Sequence, residues 1–136
     1  KINYWLLKSE PSSWSWDNQT KDKVTMWDGV RNYQARNNLK LMKKNDQCFF
    51  YHSVNEKQIM GIVEVVKEHF IDPTDKTKKF YAIRVKKKKS LINPVKLEQI
   101  KKNNQLVHLA LVKQSRLSVM PIDKKSWFII CKLGGL

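Results

Sequence analysis

Residues 58–67 constrain this chain more than any other stretch, because Ile59, Ile62, Val63, Val65 and Val66 put β-branched side chains on both faces of any strand they form. A strand apolar on both faces needs cover on both, which places it centrally in a sheet with further layers against it. The neighbouring segments supply partners. Residues 3–8 read as an opening strand ended by the Ser9-Glu10-Pro11 turn. Residues 47–53 alternate Cys48, Phe50 and His52 with Phe49, Tyr51 and Ser53. Residues 80–86 alternate Tyr81, Ile83 and Val85 with Ala82, Arg84 and Lys86, so the Lys86–Lys89 run is expected at a solvated strand end. Arg116 to Met120 reads as a further short strand.

Helices fill the intervals. Ser12 or Ser13 is expected to cap a short helix carrying Trp14 and Trp16 through about Gln19, both indoles read as packing residues. Residues 32–43 form the clearest early helix, with Ala35, Leu39 and Met42 as its buried stripe. Tyr33, Arg36, Lys40 and Lys43 lie on another face. From Pro94 a helix is expected through about Lys102, a second near Leu106–Leu111, and a last one capped by Asp123 and ending before Gly134-Gly135. Strands and helices mix without a βαβ rhythm. The fold class is therefore α+β, a small curved sheet or open barrel flanked by short helices. The 136 residues fit one domain over 1–136, with no repeat and no linker.

Charge narrows the partners. The chain carries 27 basic against 12 acidic residues, a net +15, which suits a polyanion such as nucleic acid. Abundant Lys, Asn and Ile, the mark of A+T-biased coding, account for part of that surplus. The arginines are more telling. There are only Arg31, Arg36, Arg84 and Arg116, and a retained arginine points to use of its forked, planar donor geometry. Cys48 and Cys131 stand apart, each inside an apolar run, so buried thiols are expected rather than a disulfide or a zinc site. No long apolar stretch suggests a signal peptide or a membrane span. An intracellular, soluble, monomeric chain without cofactor or metal is expected. No Gly-rich phosphate loop and no Gly-x-Ser-x-Gly appears, which removes the common nucleotide hydrolases and esterases.

Four segments concentrate the unusual chemistry: Lys8-Ser9-Glu10-Pro11, Trp27 through Arg36, Phe49 through Ser53, and Arg116 through Pro121. In the second, Asp28-Gly29 turns the chain and Asn32 caps the following helix, whose free N–H groups favour an anion beside Arg31. Trp27 and Tyr33 add flat π surfaces next to cationic donors, a combination suited to a stacked base with its phosphate held. Tyr51 and His52 end an apolar strand, where a lone histidine is more often structural than catalytic.

These same segments, in order and with consistent spacing, resemble the EVE domain family. The string Trp-Asp-Gly-Val-Arg-Asn-Tyr-Gln-Ala-Arg at residues 27–36 is the most specific part of the match. The resemblance implies a PUA-like fold and a pocket for an extruded base, one carrying a modification such as methylated or hydroxymethylated cytosine. It implies DNA or RNA as partner, and a cytoplasmic protein in a bacterium or a nuclear one in a eukaryote. Carried onto this chain, the implied pocket draws on Lys8, Ser9, Trp27, Arg31, Asn32, Tyr33, Arg36, Tyr51, His52, Ser53, Arg116 and Ser118. Trp27 and Tyr33 would be ring contacts, and Arg31, Arg36 and Arg116 would meet phosphate or carbonyl oxygens. Asn32, His52 and Ser53 would hydrogen-bond base edges. The chain departs from the family at Met120, where Gln is common, and in a shortened loop between Phe70 and Phe80.

The function expected is a non-catalytic reader of nucleic acid. Two rivals differ in kind. One is an enzyme on a flipped base, with His52 as acid or base and Asp28 or Glu10 orienting it. The other is an adaptor for a free nucleotide or another small anion.

Overall fold

A computed structural model describes all residues, Lys1–Leu136. Strand β1 (Tyr4–Ser9) lies parallel to β3 (Gln47–His52) and antiparallel to β6 (Val119–Ile122). Strand β3 pairs antiparallel with β4 (Gln58–Ile71), β4 with β5 (Tyr81–Lys96), and β5 with β2 (Val24–Trp27). The result is one six-stranded mixed sheet of order β2-β5-β4-β3-β1-β6. The two outer strands, β2 and β6, do not pair with each other, so the sheet stays open. Five helices accompany it: α1 (Trp16–Asp22), α2 (Tyr33–Leu41), α3 (Leu97–Lys101), α4 (Ala110–Lys113) and α5 (Lys124–Leu133).

The doubly apolar strands are central, as their composition requires. In β3, Phe49 stacks on Trp127 of α5 at 3.8 Å, while Phe50 on the opposite face meets Trp16 at 5.1 Å and Trp27 at 5.5 Å. One strand thus joins two halves of the core. The Trp27 contact also reveals the shape of the sheet. Three strand spacings separate β2 from β3, roughly 14 Å in a flat sheet. Their aromatic rings touch, so the sheet curls strongly.

Local signals explain most helix boundaries. Asn32 caps α2 through a 2.9 Å bond from the Ala35 N–H, and Ala35, Leu39 and Met42 are fully buried. Asp123 caps α5 from its side chain. Asp46, buried before β3, accepts from the Asn3 N–H, the Trp5 indole and the Lys43 N–H, each at 3.0 Å. It ties the chain start, β1 and the end of α2 together.

Several boundaries differ from the sequence reading. The first helix is capped by Ser15, in a capping box with Asn18, so Trp14 lies outside it. The lysine run is not a strand end: β5 continues through Lys86–Lys89 to Lys96. Pro94 opens no helix; it lies within β5, and helix begins only at Leu97. The helical piece expected near Leu106–Leu111 is Ala110–Lys113, and the last strand is Val119–Ile122 rather than Arg116–Met120. Cys48 is buried and Cys131 half-buried, both as free thiols. Burial pushes the Cys48 thiol far up and that of Cys131 up to about 11. No helix is long and apolar enough to cross a membrane.

Candidate nucleic-acid interface

The curl of the sheet brings the ends of β1 and β2 to one depression, although four strand spacings separate them in hydrogen-bonding order. The cleft holds about 700 Å³, within the roughly 300–1,000 Å³ usual for small-ligand sites. The end of β1 supplies Lys8 and Ser9, β2 supplies Thr25, Met26 and Trp27, and the following turn supplies Asp28 through Asn32. Glu10, Ser13 and Trp14 close one side, and Ser118 another.

Each group arrives by a local cause. Lys8 is half-buried, which lowers its pKa, and its ammonium donates to the Ser115 carbonyl at 2.8 Å. The Ser9 hydroxyl donates to the Trp14 carbonyl and fastens the turn to β1. Trp14 is half-buried, its indole N–H held by the Gln19 side chain at 3.0 Å. Trp27 is 7% exposed, packed edge-on to Phe50. Gly29 has φ of +78°, a left-handed value that suits glycine in this turn.

Loop 71–79, although short, fixes the rim beyond Trp27. The buried Asp72 accepts from the Gly29 N–H at 2.8 Å and from Arg31 at 3.1 Å, and Arg31 also donates to the Thr74 hydroxyl at 2.9 Å. Burial would raise the Asp72 carboxyl, but bonds from Thr74, Gly29 and Arg31 outweigh it and hold the group below its ordinary value. Arg31 is therefore committed to loop 71–79.

The twelve residues expected from the sequence divide by location. Lys8, Ser9, Trp27, Arg31, Asn32 and Ser118 line the cleft. Arg116 lines an adjoining depression of about 310 Å³ that shares Asn32 and includes Lys113 and Gln34. Tyr33 and Arg36 line neither. They form an outer cluster in which Tyr33 lies 5.0 Å from Phe80, and Arg36 sits over Tyr33 at 5.1 Å and Tyr81 at 5.8 Å. Tyr51 is buried, its ring 5.7 Å from the Lys8 ammonium, and burial raises its phenol to about 12. The Ser53 N–H donates to the Ser9 carbonyl at 2.9 Å.

His52 is buried, and both of its ring nitrogens are engaged. Nε2 accepts from the Trp16 N–H at 2.9 Å, so Nδ1 carries the proton and donates to Glu56 at 3.0 Å. It anchors the start of α1 and lies outside the cleft. Met120, fully buried opposite Leu6, is likewise a packing residue.

Sequence reasoning overlooked Trp14, Thr25 and Met26 as lining residues, and left Glu10 and Asp28 out of the pocket, giving them as turn residues and as orienting carboxylates for His52. The signal for Trp14 was the Ser15-x-x-Asn18 capping box: it puts the cap at Ser15, starts the helix at Trp16 and so separates the two indoles.

A model of the EVE domain matches residues 3–133. Thymocyte nuclear protein 1 of Mus musculus is 35% identical, the alignment covering 96% of this chain and 73% of that protein. A solved Rhodopseudomonas palustris protein is 43% identical with a TM-score of 0.93, covering 98% of this chain and 94% of its own. Human THYN1 protein, solved in complex with 5-methylcytosine containing DNA, is 28% identical with a TM-score of 0.90 and 98% coverage of each chain.

Proposed function

The chain belongs to the EVE domain family, and on that premise we propose that it is a non-catalytic nucleic-acid-binding module holding a base, in particular a modified one, in the cleft. We read residues 1–136 as a single domain, and the curled, unclosed sheet as an open barrel of PUA-like kind. The observation that carries the reading is the cleft itself: two tryptophans, hydroxyls and a desolvated lysine in one depression of nucleotide-binding size. Its fit to a modified base is supported by the similar human protein in complex with 5-methylcytosine DNA.

In this reading Trp14 and Trp27 offer ring surface, with Lys8, Ser9, Arg31, Asn32 and Ser118 around them. Arg116, on the adjoining depression, meets a backbone phosphate. Tyr33 and Arg36 contact the strand beyond the base. Tyr51, His52 and Ser53 act from behind, positioning Lys8, α1 and Ser9. Both nitrogens of His52 being occupied argues against its use as acid or base on a flipped base.

A fluorescence titration over oligonucleotides with and without modified bases tests the proposal. Micromolar or tighter binding that favours a modified base and weakens with salt is expected. Equal affinity for every oligonucleotide, or no binding at low salt, removes the reader. Base release or strand cleavage during incubation would instead establish an enzyme.

A further inference from the structure

One carboxylate in the cleft has no partner beyond its own residue. Asp28 makes no ion pair, and its carboxylate accepts only from its own backbone N–H, in a chain whose net charge is +15. The other carboxylates around the site are occupied: Asp72 is held by Gly29, Arg31 and Thr74, and Glu10 accepts from the Ser12 hydroxyl. The cations of the cleft do not neutralise Asp28 either. Arg31 spends its guanidinium on Val30, Asp72 and Thr74 and reaches Asp28 through its charge alone, and Lys8 is bonded to Ser115. Three residues before Asp28, Thr25 lines the same cleft with a buried hydroxyl that has no hydrogen-bond partner. Asp28 itself is exposed in the cleft lining, and partial desolvation together with the nearby Asp72 raises its carboxyl above the ordinary value.

An unpaired carboxylate repels phosphate, so Asp28 does not serve the backbone of a nucleic acid. It is an acceptor awaiting an N–H donor, such as the exocyclic amine of a base. Among the amino-bearing bases, the similar human protein solved with 5-methylcytosine containing DNA points to cytosine. In a thymine or uracil the same position carries a carbonyl oxygen, whose lone pairs face the carboxylate unfavourably.

We propose that Asp28 sets the base preference of the cleft, its carboxylate accepting from the 4-amino group of a cytosine-type base, with the Thr25 hydroxyl as a second contact. This rests on the base-pocket reading given above. The pair 5-methylcytosine and thymine isolates the group at issue. Both carry the 5-methyl group, and they differ only in the 4-amino against 4-keto edge with its N3 proton.

The test titrates the full chain against two fluorescein-labelled single-stranded oligonucleotides, identical except for 5-methylcytosine or thymine at the centre. Wild type is expected to prefer 5-methylcytosine by about tenfold or more. Asp28→Asn and Asp28→Ser, each with an unchanged melting profile, should bring that ratio close to one, and Thr25→Val should reduce it. Two variants at position 28 guard against one that fails to fold. A preference that survives both overturns the assignment of Asp28. Equal, measurable wild-type binding to the two oligonucleotides overturns the amino-group preference while the cleft remains a nucleic-acid site. Binding to neither overturns the cleft reading as well.

Discussion

Three N–H donors converge on the buried Asp46, and no substitute of similar size accepts all three. Asp46→Ala leaves them without a partner, at about 1–3 kcal/mol for each buried group left unsatisfied. Chemical denaturation followed by tryptophan fluorescence should show a loss of about 3 kcal/mol or more. The two tryptophans of the first helix region make a contrasting pair. Trp16 is 6% exposed, bonded to Ser90 and packed on Phe50, so Trp16→Ala should cost stability. Trp14, half-buried at the cleft, should lose binding instead. Trp14→Ala is expected to weaken a bound oligonucleotide by about 1–3 kcal/mol, the usual value of a base stack, with a small change in melting temperature. An unchanged affinity would remove Trp14 from the site. Nothing in residue type separates these two indoles. Their fates diverge because Ser15, and not Ser12 or Ser13, begins the helix, and because Phe50 is delivered from a strand far away in sequence.

At the scale of elements, the capped helices were legible because their signals are local. Asn32 and Asp123 each cap from the side chain, and the apolar spacing of Ala35, Leu39 and Met42 follows one face. Strand β5 was not legible beyond Lys86, since four lysines carry no apolar alternation. Its course is set by β4, which pairs with it as far as Lys96 opposite Gln58. Pro94 is tolerated because the register breaks there: Leu91–Pro94 oppose the single residue Met60 between two paired positions, where no ladder donor is required. Gly61 sits beside that irregularity with no room for a side chain. An added Cβ would lie 2.2 Å from the Trp16 ring and 2.7 Å from the Lys89 carbonyl. Gly61→Ala should therefore destabilise by about 1–3 kcal/mol, the range of overpacking, as read from an equilibrium unfolding curve. Helix α5 carries a pH dependence. Burial would raise the Asp123 carboxyl, but bonds from His108, the Ser126 hydroxyl and the Ser126 N–H bring it down to about 2 from 3.8. A depressed carboxyl stabilises the fold above its unfolded value and loses that contribution as pH falls through the folded one. Melting temperature should thus fall between about pH 4 and pH 2, and Asp123→Ala should flatten that fall while costing about 0.5–2 kcal/mol at neutral pH through the lost cap.

The whole molecule combines a strongly basic surface with a cleft that is not itself strongly basic. Arg31 is neutralised by Asp72, and Lys8 shares the cleft with Glu10 and Asp28. In the proposed reading, charge on the outside governs how strongly a nucleic acid binds, and the cleft governs which one. Arg116→Ala is expected to weaken all oligonucleotides alike and to reduce the slope of log affinity against log salt by about one, measured by titration at several salt concentrations. The general architecture was accessible from patterning and from family resemblance. The convergence of β1 and β2 was not, because it depends on how far a six-stranded sheet curls, a sum of small twists and bulges that no single segment encodes. That is also why six of the twelve expected residues meet in the cleft while Tyr33 and Arg36, so near Arg31 in sequence, turn to another surface.

The bond network of Asp72 has a kinetic consequence. The rim from Gly29 to Arg31 is already fastened to loop 71–79 before any ligand arrives, so little ordering accompanies capture. Association should then follow a single phase without a slow closing step, and differences in affinity among oligonucleotides should reside in how long each stays bound. Loosening the rim by Asp72→Asn should introduce a slower second phase in stopped-flow traces, because the time lost in finding the bound shape would return to the arriving strand.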